Sequence, residues 1–276
     1  MVGITDKMMN DTRTDTLPSL EAVKEGDIVY VVIDKKRRYI VRVESGRILG
    51  TDKGFIRHKD LIGRPYGSCI KTSLGHKAYI LKPLHYDVLH GYKRVTQVIY
   101  PKDSSFIVYL SGIGPGSRVV EAGVGTGFLS TYIAHVIGST GKLYVYEIRD
   151  DVIDVAEKNL RLAGLVDRIV FKHMDIRNGI EERDVDAVIL DIPDPWNVVE
   201  HAYNSLKPCH PFIAYVPTIN QVEKIVRKLK EHKGFIDIRA FETLYRDYIV
   251  EEGAVRPNTF MVGHTGYIVY ARKILF

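Results

Sequence analysis

Cysteine and tryptophan are almost missing: the 276 residues hold two cysteines, Cys69 and Cys209, and one tryptophan, Trp196. Cysteines so far apart form neither a metal cluster nor a redox pair, so free thiols of a cytosolic protein are expected, with a Cys69–Cys209 disulfide left open. The ten histidines show no ligand spacing, and no bound metal is expected. No apolar run reaches the roughly 18 residues that a membrane-crossing helix needs. Residues 1–18 are polar and mixed in charge, and read as a flexible tail without the apolar core of a signal peptide. No Ser/His/Asp order stands out, and there is neither an internal repeat nor a low-complexity tract. What remains is the composition of a soluble globular protein, long enough for one large domain and a small one.

The net charge of +5 is unevenly placed: residues 1–92 hold 16 Lys and Arg against 11 Asp and Glu, and the remainder holds 23 of each. A basic N-terminal third suits a polyanion such as nucleic acid, and so small an excess equally suits a solvated surface. Short β-like runs at Ile28–Ile33, Tyr39–Val43 and Arg47–Leu49, parted by turn residues, predict a small barrel or curled sheet. Lys35, Lys36, Arg37 and Arg38 share one turn tip, where they either meet phosphate or are solvated. Leu61–Gly67 and Lys71–Gly75 read as irregular. The boundary falls near Lys82-Pro83, giving a β-rich domain over 1–83 and a second domain over 84–276 that begins with a short helix, Leu84–Leu89.

The second domain is organised around Arg118-Val119-Val120-Glu121-Ala122-Gly123-Val124-Gly125-Thr126-Gly127-Phe128. A β-branched run leads into three glycines at alternating positions and then into an amphipathic run, the pattern of a nucleotide-binding strand, turn and helix. The six-residue dinucleotide fingerprint fails, because Phe128 stands where its last glycine belongs. Upstream, 93–105 is irregular before a helix at Phe106–Leu110, with Asp103 or Ser104 as its N-cap. Downstream, strands at 142–146, 169–173, 187–189 and 212–215 alternate with helices near 128–137, 151–163, 196–206 and 219–232. Thr218 and Gln221 make a capping-box pattern for the last helix. Such alternation predicts an α/β fold with a mostly parallel sheet covered on both faces. Two further strands, 236–245 and 267–272, are expected as an antiparallel hairpin at the sheet edge, joined by a long connection, 247–266.

Ligands of open α/β sheets sit at the carboxyl ends of the strands. Glu147 ends the second strand, placed to accept both hydroxyls of a ribose. Asp175 follows the third, where it can accept from an adenine amino group. Asp191 follows the fourth, in Asp191-Ile192-Pro193-Asp194-Pro195-Trp196, a loop stiffened by two prolines. A rigid acidic loop with an aromatic residue suits a flat heteroaromatic ring that carries an amine. Singly, each carboxylate is as well explained by a helix cap. Trp196 is as well explained as core, and His264 either touches a ligand or braces structure.

Taken together, these residues resemble the tRNA adenine-N1 methyltransferases of the T-loop. The resemblance runs through Arg94-Val95-Thr96-Gln97-Val98-Ile99-Tyr100-Pro101-Lys102-Asp103, the glycine motif, Tyr146-Glu147-Ile148-Arg149, Leu190–Trp196, Ala214-Tyr215-Val216-Pro217-Thr218 and Gly263-His264-Thr265-Gly266. It implies a class I S-adenosylmethionine-dependent methyltransferase fold, Rossmann-like, with a small β-rich N-terminal domain. It implies S-adenosylmethionine held by Gln97, Gly123, Gly125, Thr126, Gly127, Phe128, Leu129, Glu147, Asp175, Ile176 and Asp191. Asp191 would hold the target adenine by its amino group, with Tyr100 and Tyr215 as the other catalytic residues. His264, Thr265 and the Lys35–Arg38 tip would touch tRNA. A cytoplasmic homotetramer that methylates adenine 58, with adenine 57 as a further target, is the implied enzyme. The competing readings are a methyltransferase for protein carboxylates or a small molecule, and a non-catalytic RNA-binding protein.

Overall fold

The computed structural model describes residues 21–275, so the expected N-terminal tail lies outside the described residues. Two compact units meet at Pro83 and Leu84.

The first unit contains β1 (Ile28–Val32), β2 (Arg38–Arg42), β3 (Ile48–Thr51), β4 (Gly54–Arg57), β5 (Cys69–Lys71) and β6 (Lys77–Leu81). Four strands form an antiparallel sheet in the order β2-β1-β6-β5, and β3 with β4 makes a separate hairpin, so the unit is an open sheet plus a hairpin and not a closed barrel. Val29, Val31, Ala78 and Ile80 point inward and pack with Val23, Val43, Ile56 and Leu61. Three strands escape the sequence reading. β5 has only three residues, β4 buries only Ile56, and β6 buries the small Ala78 while exposing Tyr79. Much of the stretch expected to be irregular, 71–75, is the turn from β5 into β6.

The second unit runs α1 (His85–Val88), α2 (Pro101–Ser111), β7 (Arg118–Ala122), α3 (Phe128–Ile137), β8 (Lys142–Glu147), α4 (Asp150–Leu162), β9 (Ile169–His173), β10 (Ala187–Leu190), α5 (Val199–Ser205), β11 (Pro211–Val216), α6 (Ile219–His232), β12 (Phe235–Phe241), β13 (Tyr248–Ile249), β14 (Arg256–Pro257) and β15 (Tyr267–Lys273). Seven strands form one sheet in the order β12-β15-β11-β10-β7-β8-β9. The five from β11 to β9 are parallel. The residues of β7, β10 and β11 are nearly all buried, as expected when helices cover both faces. Successive side chains go to opposite faces: Val119 and Ile189 pack with α2, α3 and α4, whereas Val120 and Leu190 pack with α5 and α6.

Four local expectations are corrected. α2 begins at Pro101, because proline at the first helical position needs no N–H partner. Asp103 and Ser104 are therefore not caps; they are buried in the first turn, and the Ser104 hydroxyl donates to the Ile99 carbonyl at 3.1 Å. The helix expected over 196–206 opens as a 3₁₀ turn, Pro195–Val198, before α5. Thr218 does precede α6, but its hydroxyl donates to the Gln221 side chain at 2.7 Å and caps no backbone group. β12 and β15 pair antiparallel as expected, yet only β12 is an edge; β15 is inserted beside β11.

Candidate cofactor and substrate site

The carboxyl ends of β7, β8, β9 and β10 converge, and the glycine loop after β7 lies at their centre. Gly123, Gly125 and Gly127 have φ of 60°, 50° and 82°, the left-handed region that side chains disfavour. A Cβ on Gly123 would collide with the backbone oxygen of Asp191, and one on Gly125 would stand 3.0 Å from the Thr96 hydroxyl. Buried Asn159 of α4 fixes the loop from behind. Its amide donates to the Thr126 carbonyl at 2.9 Å and the Lys93 carbonyl at 3.0 Å, while its oxygen accepts from the Lys93 N–H at 3.0 Å. This residue, which nothing in the sequence pattern marks, joins the segment carrying Gln97 to the glycine loop.

Two hollows open beside the loop. A cavity of about 540 Å³ is lined by Glu147, Asp175, Ile176, Arg177 and Asp194; a narrow recess is lined by Gln97, Glu121, Gly125, Thr126, Phe128 and Leu129. Gly123 and Asp191 line both. The structure thus gathers Gln97, the glycine loop, Glu147, Asp175, Ile176 and Asp191 around one continuous site.

The carboxylates differ in how far the protein has already used them. One oxygen of Glu147 accepts from the backbone N–H groups of Ile148 at 2.9 Å and Arg149 at 3.1 Å; the other has no donor among the described residues. Asp175 accepts from the Arg177 backbone at 2.9 Å and its guanidinium at 2.6 Å, and that guanidinium holds the Asp175 carboxyl below the usual range. Arg177 also reaches Asp194 at 3.1 Å, so it spans the cavity wall. Asp191 is the opposite case. Its backbone N–H is fixed to the Ala122 carbonyl at 2.6 Å, but no donor among the described residues reaches its carboxyl. Burial, reinforced by the charge of Glu147, raises its pKa to about 7.

Glu121, the acid that opens the glycine motif, proves to be a further site residue. It is 1% exposed, accepts from the Ser130 hydroxyl at 2.7 Å, and is pushed up to about 8 by burial, so it carries a proton at neutral pH.

Behind this site lies a network that spacing alone could not reveal. Asp103, fully buried, accepts from Lys102 at 2.8 Å, Thr243 at 2.5 Å, Thr265 at 2.7 Å and the Tyr215 hydroxyl at 3.3 Å. A Cβ on Gly266 would reach within 2.6 Å of that hydroxyl, so Gly266 makes the room Tyr215 needs. Tyr215 is thereby fixed against the sheet, and its hydroxyl is raised above the ordinary phenol by burial. Thr265 belongs to this network. His264 bonds the Pro217 carbonyl at 2.8 Å and Glu242 at 2.7 Å; with an acceptor at each ring nitrogen, its pKa is raised. Tyr100 lines a different, apolar cleft with Tyr86, Tyr132, Tyr245 and Phe260. Trp196 packs on the core with the Lys224 ammonium 4.9 Å from its ring and lines neither hollow of the site. At the basic tip, Arg37 is taken up by Asp34 at 2.8 Å and by Asp52. Both cysteines are free thiols.

The hollows fit S-adenosylmethionine. The cavity falls in the roughly 300–1,000 Å³ range of small-molecule sites, its strand-end carboxylates can accept from ribose hydroxyls, and the buried Thr126 hydroxyl at the glycine loop has no partner among the described residues. No helix among the described residues is long and apolar enough to cross a membrane, and no group of acidic, His or Cys side chains among them could hold a metal.

Comparison with known proteins agrees with this geometry. Residues 78–255 match the family described as the tRNA methyltransferase complex GCD14 subunit, and residues 22–70 match a TrmI-like N-terminal family. The chain is 38% identical to the tRNA (adenine(57)-N(1)/adenine(58)-N(1))-methyltransferase TrmI of Methanocaldococcus jannaschii, over 88% of this chain and 93% of that protein. It is 33% identical to the tRNA (adenine(58)-N(1))-methyltransferase TrmI of Thermus thermophilus, over 87% and 94%. A crystal structure from Thermotoga maritima, described as a SAM-dependent O-methyltransferase, is similar with a TM-score of 0.86 and 38% identity, covering 92% of this chain and 96% of that one. The tRNA (m1A58) methyltransferase TrmI of Aquifex aeolicus is similar with a TM-score of 0.79 and 27% identity, covering 93% and 100%.

Proposed function

The chain belongs to the family described as the tRNA methyltransferase complex GCD14 subunit, and on that premise we propose that it methylates N1 of adenine 58 in the T-loop of tRNA, using S-adenosylmethionine. Adenine 57 is a second target in this reading, favoured by the Methanocaldococcus jannaschii relative that acts on both positions. A homotetramer in the cytoplasm belongs to the same proposal.

The observation that carries it is Asp191: a carboxyl without a donor among the described residues, on a loop held by two prolines, lining both hollows. S-adenosylmethionine supplies an electrophilic methyl group. Adenine N1 brings its own lone pair, so no covalent enzyme intermediate is needed, and the protein's task is alignment. The ionised Asp191 carboxyl accepts from the adenine amino group and so directs N1. As positive charge develops on the ring, that hydrogen bond strengthens, which lowers the barrier and not only the binding free energy. The target base must first leave its stack in the folded tRNA. Glu147 takes the ribose hydroxyls. Asp175, already paired with Arg177, shares its remaining capacity with the cofactor's adenine.

The test is incubation with unmodified tRNA and methyl-labelled S-adenosylmethionine, followed by nucleoside analysis. Label in 1-methyladenosine, reduced when adenine 58 is replaced by guanine, is expected. Label on protein, or on a small-molecule hydroxyl with none in RNA, would overturn the reading, and the Thermotoga maritima description makes the hydroxyl control worth including.

A further inference from the structure

The first unit contains a basic recess away from the Lys35–Arg38 tip. It is about 440 Å³ in volume, and Arg57, Arg64 and Lys71 line it together with one acid, Asp60. All three cations are exposed, and no carboxylate among the described residues pairs with any of them. Arg57 is steered by the Phe55 ring, 5.6 Å from its guanidinium carbon.

The recess is also open at the backbone. β5 is the edge of the four-stranded sheet. Register with β6 pairs Ile70 with Ala78, and the flanking bonds are Ile80 N–H to the Ser68 carbonyl at 2.9 Å and Thr72 N–H to the His76 carbonyl at 2.8 Å. Even-numbered residues of β5 therefore face β6, and the N–H groups of Cys69 and Lys71 face the other way. That outer side looks toward β4. The two strands are joined there at the turn end, where the Ser73 N–H donates to the Phe55 carbonyl at 3.0 Å, the Phe55 N–H donates to the Ser73 hydroxyl at 2.9 Å and the Thr72 hydroxyl donates to the Lys53 carbonyl at 2.6 Å. Beyond it the strands part, and the recess occupies the gap. Two outward N–H groups and three uncommitted cations thus converge on one hollow, the donor set that phosphate oxygens take.

We propose that this recess seats phosphodiester groups of the substrate RNA backbone, an inference that rests on the tRNA reading above. Asp60 is placed to accept from a ribose 2′-hydroxyl, the group that separates RNA from DNA. Backbone contacts of this kind position a nucleic acid without reading its sequence.

The test uses the full-length chain with Arg57→Gln, Arg64→Gln and Lys71→Gln combined. All three side chains are exposed, so the melting temperature should stay within a few degrees of wild type. The KM for unmodified tRNA should rise, kcat at saturating tRNA and the affinity for S-adenosylmethionine should hold, and the slope of log affinity against log salt should shrink by about two to three. Inorganic phosphate, compared with chloride at equal ionic strength, should raise the wild-type KM for tRNA and leave that of the triple variant unchanged. An unchanged KM and salt slope in a variant that methylates tRNA would overturn the recess while leaving the function intact. The recess is equally overturned as an RNA site if it takes up inorganic phosphate but the triple variant binds tRNA as tightly as wild type. Failure of wild type to methylate any tRNA would instead remove the function on which the inference rests.

Discussion

Gly123 lies so close to the main-chain oxygen of Asp191 that no Cβ fits between them. The two residues directly follow neighbouring strands, β7 and β10, and the Asp191 N–H is bonded to the Ala122 carbonyl at 2.6 Å. Gly123→Ala would add a steric conflict to an unfavourable φ of 60°, a strain of about 1–3 kcal/mol. The expected result is displacement of the Asp191 loop, seen as weaker S-adenosylmethionine binding in calorimetry and a lower melting temperature. Gly112→Ala, at a φ of 63° and with open space around its Cβ, should lower the melting temperature and leave cofactor affinity unchanged. Equal affinity in the two variants would show that the Gly123 contact is not needed.

Asp191→Asn keeps the shape of the side chain and removes its charge. With saturating S-adenosylmethionine, the single-turnover rate should fall at least about 100-fold, comparable to losing one oriented electrostatic group, while tRNA affinity is nearly unchanged. The carboxyl must be ionised to accept from the adenine amine, and its pKa in the free protein is about 7. Wild-type kcat/KM should therefore rise about tenfold per pH unit below that value and level off above it. A rising profile that survives in Asp191→Asn would assign the titration to another group.

Glu121 and Asp191 both hold a proton more tightly in the folded protein than in the unfolded chain. Burial raises Glu121 from 4.5 to about 8 and Asp191 from 3.8 to about 7. Between pH 4.5 and 8 the folded Glu121 keeps a proton that the unfolded chain releases, so stability declines as pH rises through that window. Each such group contributes a slope of at most about 1.4 kcal/mol per pH unit. Glu121→Gln should flatten the fall in denaturant midpoint between pH 5 and 8, since a neutral amide oxygen can still accept from Ser130. A slope identical to wild type would mean that Glu121 is ionised in the fold.

Glu147→Gln should weaken S-adenosylmethionine binding by about 1–3 kcal/mol, as for a hydrogen bond to a charged group. Its oxygen supports the Ile148 and Arg149 amides, so glutamine is the cleaner replacement than alanine. Unaltered affinity in a folded Glu147→Gln protein would remove this residue from the ribose role.

The parallel sheet was legible because its strands are continuous β-branched runs between amphipathic helices, and Glu147, Asp175 and Asp191 were legible because each stands just after such a run. β6 was not, because the large Tyr79 at its centre is exposed and one of the two residues it buries is the small Ala78, which blurs the alternation. Asp103 read as a cap because all its partners but Lys102 are remote: Thr243 and Thr265 lie more than 100 positions away and are brought to it by β12 and β15. Arg37 looked like one quarter of a basic tip because Asp52, which neutralises it, belongs to another hairpin.

The place of β15 in the sheet bears on how the second unit acquires its fold. Residues 267–273 are synthesised after the other six strands of the sheet, yet they lie between β12 and β11 and not at the margin. Until they emerge from the ribosome, the β11 edge, wholly buried in the finished protein, has no neighbour on that side, and β12 has nothing to join. Thr265, which Asp103 awaits, arrives with them. A nascent chain stalled before residue 267 would therefore present an apolar, unpaired strand to chaperones and to other chains. Sheet closure and completion of the Asp103 network become one late, cooperative event.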